Sequence, residues 1–196
     1  MARQIQFKRK TSETDIRLAL GVYGKGRYAI DTGIKFLDHM LSLFAKHGLF
    51  DLNLKAKGDL DVDIHHTNED VGLALGEAFS MGLGKRAGIR RFGDATVPMD
   101  ESLVRVVVDI SGRPFLKFRS RDIKVKSFKG YSLNYAEQFL RAFITQAGMT
   151  VHVDILEGDD LHHILEGVFK AFAKALSKAV EKNPRAEGVP STKGRI

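Results

Sequence analysis

The most constraining feature of this chain is an internal duplication. His65-His66-Thr67-Asn68-Glu69 returns 97 residues later as His162-His163-Ile164-Leu165-Glu166. In the same register identities continue at Val71/Val168, Ala74/Ala171, Ala78/Ala175, Ser80/Ser177 and Lys85/Lys182. With small gaps the similarity extends upstream. Glu13-Thr14-Asp15-Ile16-Arg17 aligns with Glu101-Ser102-Leu103-Val104-Arg105, Tyr23-Gly24-Lys25-Gly26 with Ser111-Gly112-Arg113-Pro114, and His39-Met40-Leu41 with Gln138-Phe139-Leu140. Self-similarity on this scale predicts two copies of one structural unit. The copies span residues 1–90 and 91–182, with an arm at 183–196.

Each copy reads to the same plan. Residues 16–22 and 103–110 are β-branched runs followed by glycine-containing turns and then 27–30 and 115–118, which predicts hairpins. Residues 36–46 and 134–146 place apolar side chains at helical spacing, as do the Ala/Leu/Phe-rich stretches 69–83 and 166–180. Residues 52–57 and 149–156 read as strands, and Asp61-Val62-Asp63-Ile64 alternates like one. The expected fold is α+β: two tandem pseudo-equivalent halves, each an antiparallel sheet covered by two helices. The polar arm, with two Pro and two Gly, is expected to be extended or mobile.

Composition narrows the functional classes. With 43% hydrophobic and 28% charged residues over 196 positions, the chain can bury a sizeable core. No run of 18 uncharged apolar residues is present, and the basic start lacks an apolar core for a secretory signal, so no membrane role is expected. Zero cysteines exclude disulfides, thiolate metal sites and thiol nucleophiles, and a cytoplasmic setting follows as the expectation. The net charge of +7 suits an anionic partner: nucleic acid, an acidic lipid surface or a phosphorylated metabolite. Trp is absent and most of the 13 Phe fall in apolar-periodic runs, where they read as core rather than as a base-stacking platform.

The chemistry concentrates in the duplicated motif. Of seven His, five fall in repeat-matched positions: His39, His65, His66, His162 and His163. At the start of a helix the first His of HHxxE and the Glu four residues later share a face, so imidazole and carboxylate aim at one point. The adjacent His points elsewhere, toward a second metal. Nitrogen and oxygen donors without thiolate suit Mn, Fe, Co or Zn. The order is not that of HExxH metalloproteases, where Glu lies between the two His. His47 and His152 have no repeat partner and read as structural. Lys8, Arg9, Lys10, Lys124, Lys126 and Lys129 read as solvated surface. Arg91 and Arg113 sit at turns where guanidinium can clamp phosphate, and Ser191-Thr192-Lys193-Gly194 offers hydroxyls and an ammonium beside Gly.

Taken together these residues resemble one family, imidazoleglycerol-phosphate dehydratase. The resemblance covers nearly the whole chain. It rests on Thr11 to Ile16, Phe36-Leu37-Asp38-His39-Met40, Asp63-Ile64-His65-His66-Thr67-Asn68-Glu69-Asp70, Arg91-Phe92-Gly93, Pro98-Met99-Asp100-Glu101, Ser111-Gly112-Arg113-Pro114, His162-His163-x-x-Glu166, Phe169-Lys170-Ala171 and Ser191-Thr192-Lys193-Gly194. It implies two halves similar to the second domain of ribosomal protein S5, a homo-oligomer of twenty-four subunits with sites between subunits, and two Mn²⁺ per site. One metal would take His39, His66, His162 and Glu166; the other would take His65, Glu69, His163 and one further His. That further position is Gln138 here, the repeat partner of His39.

The implied reaction is dehydration of imidazoleglycerol phosphate to imidazole-acetol phosphate in histidine biosynthesis, through an imidazolate held between the metals. Glu13 is the first candidate to shuttle protons and Asp100 the second. Arg91, Arg113, Ser191 and Lys193 would hold the phosphate, with Lys170 as a further substrate contact. Two other classes compete. An RNA-binding module would leave five repeat-matched His unexplained, whereas a di-metal hydrolase of a phosphorylated metabolite would not explain why the two halves are alike.

Overall fold

A computed structural model describes residues 4–120 and 127–196. Lys124, Lys126 and the first three residues lie outside the described residues. The first half comprises β1 (Ile5–Lys10), β2 (Thr14–Gly21), β3 (Tyr28–Asp31), α1 (Lys35–Gly48), β4 (Asp51–Gly58) and α2 (Ile64–Leu83). The second repeats it as β5 (Phe92–Met99), β6 (Ser102–Asp109), β7 (Phe115–Arg119), α3 (Leu133–Ala147), β10 (Thr150–Glu157) and α4 (Leu161–Val180). A two-stranded ribbon, β8 (Ser127–Phe128) and β9 (Tyr131–Ser132), is inserted before α3.

The two four-stranded sheets have matching orders, β1-β2-β4-β3 and β5-β6-β10-β7. This corrects the expected hairpins, because β2 does not pair with β3, nor β6 with β7. β4 and β10 lie between them, antiparallel to β2 and β6. The outer strands β3 and β7 run parallel to them, so each sheet is mixed rather than wholly antiparallel. A parallel pair needs a crossover, and α1 and α3 supply it. The turn after β2 is built for that departure. The Asp51 carboxylate accepts from the backbone N–H of Lys25 and Arg27 at 2.9 and 3.0 Å, wrapping the turn around the first residue of β4. Gly24 permits the approach, since a Cβ there would lie 2.5 Å from Asp51 N.

The segment at 61–64 is also not a strand. Val62 N–H closes a turn onto Asp59 C=O at 2.9 Å, Val62 is exposed, and Asp63 is the N-cap of α2. A polar–apolar alternation of four residues cannot tell a strand from a turn entering a helix. Arg9 is not solvated surface either: it donates to Asp70 at 2.9 Å.

Helices pair across the halves. α1 packs on α4 and α2 on α3, while each half's own two helices scarcely touch. Gly72 and Gly76 bring α2 against the α3 backbone, where a Cβ would come within 2.7 Å of Phe139 O and 2.2 Å of Phe143 O. At the centre Phe44, Phe50, Phe79, Phe143 and Phe172 interlock, with ring centroids 4.9–6.0 Å apart. Each such ring contributes about 1.5–3 kcal/mol by leaving water. Buried Asn68 of α2 ties α3 down, donating to Tyr135 O at 2.9 Å and accepting from Tyr131 OH at 2.8 Å. Arg86 donates to Ala147 O at 2.8 Å and Gly148 O at 3.3 Å, satisfying carbonyls that the end of α3 leaves open.

The arm is held rather than free. Gly88 N–H donates to Gly188 O at 2.7 Å and Arg91 Nη1 to Pro190 O at 2.8 Å.

Candidate active site

Both HHxxE motifs lie on the first turns of the two matching helices, α2 and α4. Helical spacing therefore sets the first His and the Glu on one face. His65 Nε2 stands 3.4 Å from Glu69 Oε2, and His162 Nε2 3.1 Å from Glu166 Oε1. On the second motif His39 arrives from α1, with its Nε2 2.9 Å from the same Glu166 oxygen. The donor atoms of His39, His162 and Glu166 lie within 4.8 Å of one another.

Two imidazole nitrogens and one carboxylate oxygen form a donor set for a first-row divalent cation. His162 Nε2 is buried and, its approach to Glu166 aside, has no hydrogen-bond partner among the described residues, which suits an atom that faces a ligand. Lys170 Nζ reaches the other Glu166 oxygen at 2.6 Å. Burial pushes the Glu166 carboxyl up, but Lys170 and then His39 outweigh it and hold it at about 2, so it is ionised at neutral pH. Beside the triad opens a cavity of about 500 Å³ whose walls include Phe36, Phe128, Tyr131 and Leu60. The Phe128 and Phe36 rings sit 4.9 and 5.2 Å from that of His162.

The second His of each motif faces elsewhere. His66 Nδ1 lies 2.9 Å from Asp59 Oδ2 and 3.7 Å from Glu13 Oε2. These three form a second cluster whose donor atoms converge within 4.8 Å. His163 Nδ1 lies 2.8 Å from Glu101 Oε2, and its Nε2 3.8 Å from Asp100 Oδ2. Both rings are raised above the ordinary His range, His66 chiefly by Asp59 and His163 chiefly by Glu101. Glu101 is held at about 2, first by His163 and next by the Asp160 N–H. Asp100 occupies the β5–β6 turn at φ 49°, a left-handed position that Asp tolerates better than most residues.

Within one chain, then, His66 does not join His39, His162 and Glu166, and His163 does not join His65 and Glu69. Gln138 lies on α3 next to Phe139, and its amide oxygen is buried without a partner among the described residues. The anion-binding candidates gather at the other end of α4. Arg91 pairs with Asp109 at 2.7 Å, its backbone at φ 71°, and holds the arm through Pro190 O. Arg113 sits on the Ser111 turn, and the Ser191 hydroxyl accepts from Lys193 N–H at 3.2 Å. Arg91 N–H bonds Ala179 O on α4, thirteen residues from Glu166, or about 20 Å along the helix. Lys170 stays with Glu166 and Met99 instead.

Sequence reading missed Asp59 and Glu101. The repeat could have flagged Glu101, which aligns with Glu13. Asp59 lies in the connection between β4 and α2, outside the motifs above, and its contact with His66 depends on the path of that connection.

A two-repeat α+β chain that converges imidazoles and carboxylates from opposite halves defines a class: duplicated enzymes with histidine–carboxylate metal-site geometry. The comparisons narrow it. A sequence model of the imidazoleglycerol-phosphate dehydratase family matches residues 32–176. The chain is 55% identical over 192 residues to imidazoleglycerol-phosphate dehydratase of Thermoanaerobacter pseudethanolicus, with 98% of each covered. It superposes on the crystal structure of the Staphylococcus aureus enzyme with a TM-score of 0.83 at 34% identity, covering 92% of this chain and 100% of that one. The Pyrococcus furiosus enzyme gives 0.83 at 35% identity, covering 96% and 99%. The chain belongs to the imidazoleglycerol-phosphate dehydratase family, a family of hydro-lyases.

Proposed function

We propose that this protein dehydrates imidazoleglycerol phosphate to imidazole-acetol phosphate in the cytoplasm, with two Mn²⁺ per site. The observation that carries it is the meeting of His39, His162 and Glu166 beside an aromatic-walled cavity. Family membership supplies the substrate class. Bound divalent cations would act as Lewis acids toward the ring nitrogens, favouring loss of the ring N–H proton and so departure of the C3 hydroxyl.

The chain's own groups divide the remaining work. Phe36 and Phe128 offer flat walls to a planar ring. Glu13, exposed and outside the triad, takes the C2 proton or delivers one to the departing hydroxide; Asp100 stands next to it in rank. Arg91, Arg113, Ser191 and Lys193 hold the phosphate, with guanidinium giving paired donors to its oxygens. Those anion-binding groups lie far along α4 from the triad, His66 turns to Asp59 rather than to the triad, and His163 turns to Glu101 rather than to His65 and Glu69. These facts favour a site completed by a second copy of the chain, in a homo-oligomer of twenty-four subunits.

Incubation of the Mn²⁺-loaded protein with imidazoleglycerol phosphate tests the proposal. Appearance of the ketone is expected. Release of inorganic phosphate instead would favour the hydrolase reading.

A further inference from the structure

The two outward imidazoles are each gripped at Nδ1 by a carboxylate. His163 has Glu101 at 2.8 Å and His66 has Asp59 at 2.9 Å. A ring whose Nδ1–H donates to a carboxylate keeps its lone pair on Nε2, so the partner fixes both tautomer and aim. Glu101 is itself anchored, accepting from Asp160 N–H at 3.0 Å and from the Ser102 hydroxyl at 2.9 Å.

The two grips are not equivalent in the repeat. Glu101 aligns with Glu13, and His163 with His66. Yet Glu13 stands 3.7 Å from the His66 nitrogen, beyond hydrogen-bond range. Asp59 occupies that place, whereas its counterpart Asp159, which follows Gly158 as Asp59 follows Gly58, turns its backbone N–H toward Glu101 at 3.4 Å. One pair of homologous glutamates has thus been separated. Glu101 holds an imidazole at 2.8 Å, whereas the exposed Glu13 carboxylate comes no nearer to its own than 3.7 Å.

We infer that Glu101 and Asp59 are positioning residues for His163 and His66, and that Asp59 relieves Glu13 of that task so that it is free to move protons. This rests on the metal-site reading above. The test is calorimetric titration of the full-length, metal-stripped protein with Mn²⁺ alone, in Glu101→Gln, Asp59→Asn and Glu13→Gln. Loss of an outer partner is expected to weaken metal binding about 10–100-fold. Glu101→Gln should weaken one class of site and Asp59→Asn the other, while Glu13→Gln keeps both. A merely structural role would not produce that selectivity. Should Glu101→Gln fail to fold, Asp59→Asn carries the same test from the other half. Unchanged affinity in Asp59→Asn or in folded Glu101→Gln, or an equal loss in Glu13→Gln, overturns the inference. Parent protein that takes up no Mn²⁺ would instead remove the metal-site reading, and this inference with it.

Discussion

His39 Nε2 and Glu166 Oε1 meet at 2.9 Å, although 127 residues separate them and they belong to opposite halves. Lys170 occupies the other oxygen of the same carboxylate at 2.6 Å. Glu166→Gln is therefore expected to lose metal at this triad and to leave Lys170, 15% exposed, without its counter-charge. An unsatisfied group of this kind costs about 1–3 kcal/mol, which for a domain this size lowers Tm by roughly 2–12 °C. Melting in the presence of chelator isolates the Lys170 effect from metal loss.

Glu13→Gln is expected to keep both metals and near-normal substrate affinity while turnover drops roughly 10²–10⁴-fold, the usual contribution of a positioned acid or base. Steady-state kinetics alongside metal analysis decides this. Near-parental turnover would remove Glu13 from the chemistry.

Gln138 should make the two metal sites unequal. An amide oxygen is a neutral, hard donor, weaker than imidazole and relatively favourable to Mn²⁺. The buried, unpartnered Gln138 oxygen is consistent with a donor awaiting a ligand. Isothermal titration of the parent should show the class containing His65, Glu69 and His163 as the weaker one. Gln138→His should tighten it and shift preference toward Zn²⁺. Equal affinities in the parent, or no change in the variant, would place Gln138 outside the coordination shell.

Asp154, on β10, lies between Arg119 and Arg105. Arg119 first and Arg105 next hold its carboxyl at about 2 against the opposing effect of burial. A carboxyl depressed from about 3.9 in the unfolded chain stabilises the fold above that pH, and the contribution fades as pH falls toward 2. Urea midpoints measured from pH 5 down to 2 should fall less steeply in Asp154→Asn than in the parent.

Metal should also govern assembly. With His66 and His163 directed away from their sets, a metal held jointly by two copies becomes part of their interface. Chelator is expected to reduce the particle mass in light scattering, and Mn²⁺ to restore it. Unchanged mass after verified metal removal would separate the two.

Much of this was legible because the repeat aligned chemically loaded residues. HHxxE declared its own geometry: helical spacing brings His162 to Glu166 whatever surrounds them. Strand order was not legible. The turns after β2 and β6 carry hairpin chemistry, yet β3 and β7 join the far sides of β4 and β10; in the first half the turn is wrapped around Asp51, from a strand later in the sequence. Asp59 was invisible for a related reason, since its role depends on the path between β4 and α2. The distance between the phosphate candidates and the triad was equally hidden, because adjacency in a motif list carries no length along α4.

The exchange of helix partners, α1 with α4 and α2 with α3, has a consequence for descent. A single ancestral copy of the unit would have had one helix face with nothing to lie against. It would have been stable only as a two-fold pair, each copy lending its first helix to the second helix of the other. Joining two copies in one chain makes such a concentration-dependent partnership permanent. Once two copies are tied together they no longer have to be identical, and His39 opposite Gln138 is one such difference.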